Sequence, residues 1–412
     1  MSEIQIESSN INSWCNYLCA VLIFFEARWI SLFILILQRI GLGEFGEPLF
    51  YIVLTAAFVV SLHRRRLDSL GLVALIYVSF SLMFVYAKVV SPDSFVMDTS
   101  GFSIIKFFLY YPLIIIVFSS LEDYDHLIDI IIKAARLFAI VLAYISYTTY
   151  LRNGYSFAGY ASYDMTHGYE CAKVAAVLLL SLSLKKKKFR LFDIVAFLAM
   201  AFSSFVFGSR GSILMLFVYF IIIYLKNYLI DQPSNKRIVL FAFTCIVTIL
   251  VGIYYYEILG QLSETLSRLN ISSRTLDKML NSSISTDTGR SVLQLQVIER
   301  WKDMPIFGYG ILGDRQFISG SYVHSLILEL ITDFGYVLGV IMVIAIVVLV
   351  VKSIRNERKR ELCLLIETIT LVNLMISSSF VVNTNFYIML AVLATSRIPY
   401  NKIEFGKQEN LN

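Results

Sequence analysis

The chain has 412 residues, of which 58% are hydrophobic and only 16% charged, and its mean hydropathy is +0.72. A soluble domain usually carries about 25% charged residues, so a soluble protein is excluded and a polytopic membrane protein is expected. The net charge of +5 is no nucleic-acid signature, because the cations stand in short runs between apolar segments: Arg64-Arg65-Arg66, Lys185 to Lys188, Lys236-Arg237 and Lys352 to Arg360.

In chain order, apolar runs predict helices over about 17–40, 48–62, 69–87, 103–119, 128–150, 170–184, 191–207, 212–228, 238–256, 324–351, 361–377 and 379–397. Roughly 20 apolar residues cross the hydrocarbon core as a helix, so the expected fold is all-α with about twelve transmembrane helices. The ~10-residue alternating segments of a membrane β-barrel are absent. Glu26 and Arg28 interrupt the first run.

Basic runs mark the cytoplasmic side of a membrane protein. With strict alternation, residues 63–68, 120–127, 185–190, 229–237, 352–360 and the C-terminal tail all fall inside, and both termini are cytoplasmic. Three parts result: 1–256 with nine helices, a long external loop at 257–323, and 324–412 with three helices and the tail. The N-terminus lacks the charged start and small-residue cleavage site of a signal peptide, so none is expected. Cys15, Cys19, Cys171, Cys245 and Cys363 lie in or beside apolar runs without a CxxC pair. They read as small buried residues, not as a disulfide frame or metal site.

Two external segments are substantial, 151–169 and 257–323, and a connection as long as the second is uncommon without a function. Leu259, Leu262, Leu266 and Leu269 recur at helical spacing, which predicts a helix over 257–270 lying on the outer membrane surface. A second helix is expected over 289–302, with Asp287 or Thr288 as its N-cap. The stretch PIFGYGILG (305–313) follows, turn-rich and open enough for close approach of backbone to a ligand.

Three residues carry candidate chemistry. The apolar run 191–225 is broken only by Gly208-Ser209-Arg210-Gly211, which predicts two helices with a tight external turn holding Arg210. A boundary arginine that snorkels would look the same, but a lone external cation opposes the positive-inside bias. Arg290 stands in the first turn of the external helix, where the dipole disfavours a cation and free amides favour an anion. His324 opens the helix 324–351 from the outer side and titrates near neutral pH, as a base or as an interfacial anchor. The topology came from charge runs elsewhere, yet it places all three on one face. Two fixed cations and a titratable base suit a lipid-linked phosphate or diphosphate donor and a hydroxyl acceptor. The arginines would neutralise the leaving group, and the histidine would deprotonate the acceptor.

Tyr155, Tyr160, Tyr163 and Tyr169 in the 151–169 segment suit sugar rings or an interfacial aromatic belt. Arg152 and His167 are further candidate glycan contacts. No carboxylate pair of the kind that holds a metal-bound nucleotide sugar stands out at this face, so no metal and no cofactor are expected.

Three ordered patterns resemble the bacterial O-antigen polymerases and ligases, including the capsule repeat-unit polymerases. They are Ser209-Arg210-Gly211; Gly289-Arg290 followed by Trp301, Pro305 and Gly308-Tyr309-Gly310; and His324-Ser325 followed by Leu328, Glu329, Gly335 and Gly339. The resemblance covers roughly 190–340 by motif and the rest by topology. It implies a GT-C-type glycosyltransferase in the bacterial cytoplasmic (inner) membrane, with its active site on the periplasmic or external face. It implies an undecaprenyl-diphosphate-linked oligosaccharide donor and a metal-independent, inverting reaction. Arg210 and Arg290 match the family's diphosphate-binding arginines, and His324 its proposed base. The implied partners are the lipid bilayer, a chain-length regulator and a flippase, and no nucleic acid. The common His-Asn pair reads His324-Ser325 here, which leaves acceptor contacts less defined than donor contacts.

The expected function is therefore an O-antigen or capsular polysaccharide polymerase. A ligase moving the glycan to a lipid A core shares the motifs. A glycan transporter or flippase would instead place its functional charges near mid-membrane in a repeated architecture.

Overall fold

A computed structural model describes residues 3–61, 70–90, 103–152, 165–184, 190–229, 253–268, 273–281 and 289–394. Within them the regular structure is entirely helical, as expected. The helices are α1 Glu3–Phe24, α2 Glu26–Gln38, α3 Gly46–Ser61, α4 Leu70–Val90, α5 Tyr111–Ser119, α6 Tyr124–Arg152, α7 Met165–Ser183, α8 Arg190–Phe207 and α9 Arg210–Leu229. They continue as α10 Tyr255–Arg268, α11 Arg274–Asn281, α12 Arg290–Glu299, α13 Leu326–Ile354, α14 Arg360–Ile376 and α15 Thr384–Ala394.

Three stretches among the described residues are long and apolar enough to cross a membrane: Gly43–Ser61, Arg190–Phe207 and Leu326–Ile354. The pair Trp14–Phe24 and Glu26–Gln38, bent by 88°, makes a fourth if counted as one span. Most of the expected span 238–256 lies outside the described residues. Leu75, Val78, Leu82, Val85 and Val89 form one exposed stripe on α4, and Leu191, Val195, Leu198 and Phe202 another on α8. Val337, Ile341, Ile344, Val348 and Val351 form a third on α13. Apolar stripes turned outward at helical spacing suit lipid and are costly in water, so the fold is compatible with a membrane protein.

α7 is the central helix. From Cys171 to Leu178 every side chain is buried, and α6, α8, α9 and α14 pack around it. A helix apolar on every side belongs inside a bundle. Gly168 on α7 touches Gly208 at the end of α8, since a Cβ on Gly168 would stand 2.1 Å from the Gly208 Cα. α15 packs on α5, with the rings of Tyr111 and Tyr387 stacked 4.1 Å apart. Among the described residues Cys15, Cys19, Cys171 and Cys363 form no disulfide, and the last three are buried.

The sequence predicts one helix over 17–40; the chain instead breaks at Phe25. The ions beside the break explain it. Lys173 donates to the Phe24 carbonyl, capping the end of α1, and to Asn385 Oδ1 at 3.2 Å. Glu26 accepts from Tyr51 at 3.1 Å and Thr384 at 2.9 Å, and pairs with Lys106 at 3.6 Å. Arg28 pairs with Glu170 at 3.6 Å. Lys173 is buried and the other partners are partly buried, so the bend sets its ions against partners on the neighbouring helices.

The external helices also depart from expectation. α10 forms, but its apolar face is covered by protein: Leu259 and Leu266 are buried with Leu276 of α11, against Phe205. Thr275 donates to the Gly208 carbonyl at 2.6 Å and Ser273 to the Phe205 carbonyl at 3.2 Å. α10 and α11 thus sit on the α8–α9 turn and satisfy the carbonyls that end α8.

Candidate functional site

The glycine turn at 305–313 is the first piece of the site. Gly308 and Gly310 take φ of +74° and +81°, and a Cβ on either would come within 2.4 Å of a neighbour, Gly335 N or Ala87 Cβ. α13 is broken at Gly335, whose φ of 78° and ψ of 171° are not helical. The break frees carbonyls, and the turn takes them up: Tyr309 N–H donates to Thr332 O and Gly310 N–H to Asp333 O, both at 2.9 Å. Trp301 Nε1–H donates to Thr332 Oγ1 at 3.0 Å. The close approach expected of these glycines is therefore to the protein's own backbone, not to a ligand.

Behind this turn lies a buried ionic group that the sequence did not reveal. Arg315 donates to Asp314 Oδ2 at 2.7 Å and to Glu329 Oε1 at 3.2 Å. Asp314 Oδ2 accepts from Val323 N–H at 3.0 Å, and Asp333 Oδ2 from Leu312 N–H at 3.2 Å. Ser379 and Phe380 N–H donate to Glu329. All four charged side chains are buried. They join the segment before His324 to the turn between α14 and α15. The GxG turn, the apolar run and the i, i+4 spacing of Glu329 and Asp333 on one helix face were legible; nothing in the sequence announces that Asp314 and Arg315 meet them.

His324 stands just outside α13. Its φ is +55°, and Ser325 is extended at the N-cap position, so the helix starts at Leu326 and not at 324. A non-glycine residue in the left-handed region costs about 1–3 kcal/mol and persists only where its surroundings hold it. The ring of Tyr322 lies 4.2 Å from the imidazole, and Arg315 lies over the Tyr322 ring at 5.2 Å. Tyr322 donates to the Ser377 carbonyl at 2.5 Å, and Tyr169 donates to Ser377 Oγ at 2.7 Å. Burial, then the charges of Arg290 and Arg315, push the His324 pKa down to about 4 against the pull of a backbone hydrogen bond to Ile376. The imidazole is thus neutral at pH 7, and its buried Nδ1 has no partner.

Arg290 is the first residue of α12 and acts on both His324 and Tyr322 through its charge. α12 is seated by Val297, buried with Ile318 and Val323. The expected caps Asp287 and Thr288 lie outside the described residues; the N-cap position is Gly289, at φ +83°, with no side-chain cap. Arg210 is the first residue of α9. Its neighbour Gly211 packs on the Tyr169 hydroxyl, 2.1 Å from where a Cβ would stand, and on Ile376 at 3.2 Å. Arg210 therefore borders the same 376–377 turn that holds His324 and Tyr322. Among the described residues neither Arg210 nor Arg290 has a hydrogen-bond or ion-pair partner, and both are half-buried.

The remaining candidates divide. The sequence puts His167 and Tyr169 in an external loop; both are in α7. His167 is buried, its Nε2 3.0 Å from Ser146 Oγ and its ring edge-on to Phe207. It is turned into the bundle because α7 begins earlier than apolarity alone predicts. Arg152 is the last residue of α6, and Tyr155, Tyr160 and Tyr163 lie outside the described residues.

Against known proteins, the chain matches no family model, and neither a curated protein nor a solved structure is significantly similar to it.

Proposed function

We propose that the chain is a metal-independent, GT-C-type glycosyltransferase of the bacterial inner membrane that polymerises undecaprenyl-diphosphate-linked oligosaccharide repeat units at the outer face. The full topology of this reading is about twelve spans with cytoplasmic termini. One observation carries it: Arg210 and Arg290 each start a helix and have no hydrogen-bond or ion-pair partner among the described residues, the charge of Arg290 acts on a neutral His324, and Gly211 beside Arg210 packs on Ile376. Arginine and free helix amides together bind phosphate well.

In this reading Arg210 and Arg290 hold the donor diphosphate. The acceptor hydroxyl gives its proton to His324 as its oxygen bonds to the anomeric carbon. The bond from that carbon to the diphosphate oxygen breaks, and the diphosphate leaves with both electrons. A pKa near 4 makes His324 a weak base in the free protein. Bound diphosphate offsets the charge of Arg290 and raises it toward its working range.

The test is a gel ladder from purified protein and its repeat-unit substrate, with EDTA present. Wild type is expected to give a ladder that His324→Ala, Arg210→Ala and Arg290→Ala each lose. A ladder that survives His324→Ala makes the histidine an anchor. Transfer only when lipid A core is added makes the chain a ligase. The charges around the α1–α2 bend bear on a transporter, which needs interior ions. Glu26, Arg28, Lys106, Glu170 and Lys173 all have partners that hold the bend, and the polymerase reading is preferred.

A further inference from the structure

The group Asp314, Glu329, Asp333 and Arg315 has more negative charge than its own residues cancel. Three carboxylates face one guanidinium, and all are buried. Uncompensated charge in the interior costs several kcal/mol, so either shared protons or a bound cation neutralises it.

Two oxygens point to what that is. Asp314 Oδ1 and Asp333 Oδ1 are both buried and have no hydrogen-bond partner, although each side chain's other oxygen is satisfied. Asp333 Oδ1 lies 3.7 Å from where a Cβ on Gly313, the residue before Asp314, would stand. One oxygen from each of Asp314, Glu329 and Asp333 can be chosen so that all lie within 4.8 Å of one another. Hard divalent cations take oxygen ligands at about 2.3–2.6 Å, so two ligands on opposite sides of such an ion stand roughly this far apart. A Cβ at 313 would stand 2.5 Å from the Tyr309 Cβ, so the position takes glycine.

We propose that Asp314, Glu329 and Asp333 bind one divalent cation of the calcium type, with Arg315 as the fixed fourth charge. With all three carboxylates ionised and one guanidinium beside them, the group carries two net negative charges, which a divalent ion cancels and a monovalent ion does not. The ion ties the 313–323 segment to α13 and, through Glu329 and its bonds to Ser379 and Phe380, to the α14–α15 turn. It is structural and takes no part in sugar transfer, so the ladder test with EDTA is run at a temperature where the EDTA-treated chain is still folded, and a ladder lost only above that temperature reports this ion and not the function proposed above.

The experiment uses the full chain in detergent and no glycan. Calcium-45 equilibrium dialysis after EDTA treatment is expected to give one ion per chain. Millimolar calcium is expected to raise the melting temperature by several degrees, where sodium at equal ionic strength does not. Terbium should bind in its place and luminesce through the nearby Trp301 and Tyr322, with calcium reversing the signal. Asp333→Asn should lose all three responses, and Asp314→Asn provides a second variant should the first fold poorly. No calcium bound by wild type overturns the proposal. So does a wild-type melt that ignores calcium but rises as pH falls, because shared protons then neutralise the aspartates.

Discussion

Tyr322 and His324 lie ring against ring, 4.2 Å between centroids at 51°, while the Tyr322 hydroxyl is tied to the Ser377 carbonyl at 2.5 Å. The residue between them, Val323, is buried and donates its N–H to Asp314. A histidine at φ +55° is thus held from both sides: through its ring by Tyr322 and through its backbone by the ionic group behind. This gives the strained conformation a cause and makes its dependence on each contact measurable.

Tyr322→Phe keeps the ring and removes one hydrogen bond, worth about 1 kcal/mol. Ladder formation should slow about five-fold, with substrate affinity little changed. His324→Ala should cost roughly 10² to 10⁴ in rate if the imidazole is the base. Initial rates of both variants at saturating donor check this; equal losses would place the effect in folding and not in the reaction.

The His324 pKa gives a pH prediction with a definite sign. It is lowered to about 4 from an ordinary 6.5, so the folded state prefers the neutral ring. The stability this contributes is present above pH 6.5 and falls away as pH drops from 6.5 toward 4. An anion at Arg290 relieves the second cause of the shift, so pyrophosphate should raise the His324 pKa. By linkage, pyrophosphate should bind more tightly as pH falls through that window. Titration calorimetry at several pH values, with His324→Gln as control, reads this; the variant should lose the pH dependence.

Gly168→Ala tests how the Arg210 turn is positioned. Its Cβ would stand 2.1 Å from Gly208 Cα, a backbone atom that cannot move freely. Overpacking of this kind costs typically about 1–3 kcal/mol. A lower melting temperature is expected, together with weaker pyrophosphate binding, because α8 and the Arg210 turn are pushed off α7. Wild-type behaviour in both would refute the close packing.

Thr275→Val removes the bond to the Gly208 carbonyl, 2.6 Å long and buried, and leaves that carbonyl unpaired. The cost is about 1–3 kcal/mol. Proteolysis of the external helices α10 and α11 should accelerate, as read by limited digestion in detergent.

Much of the helical order was already in the sequence, because membrane-like apolar runs report their own extent. The α8–α9 break followed from length alone, and α12 from the spacing of Val292, Leu295 and Ile298. Arg210, Arg290 and His324 were legible as odd charges against an apolar background. What they face was not. Arg315 lies in a polar loop and looks solvated in sequence, yet it is buried between Asp314 and Glu329. The bend at Phe25 depends on Lys173 and Asn385, more than a hundred residues distant. Hydrophobic periodicity is local and set by the solvent each face meets, so the sequence by itself determined the helices and the odd charges. Pairing of buried charges and glycine-to-backbone contact are long-range, so only the tertiary structure decided that Tyr322 and His324 meet beside the 376–377 turn within the field of Arg290, and that an acidic group stands behind them.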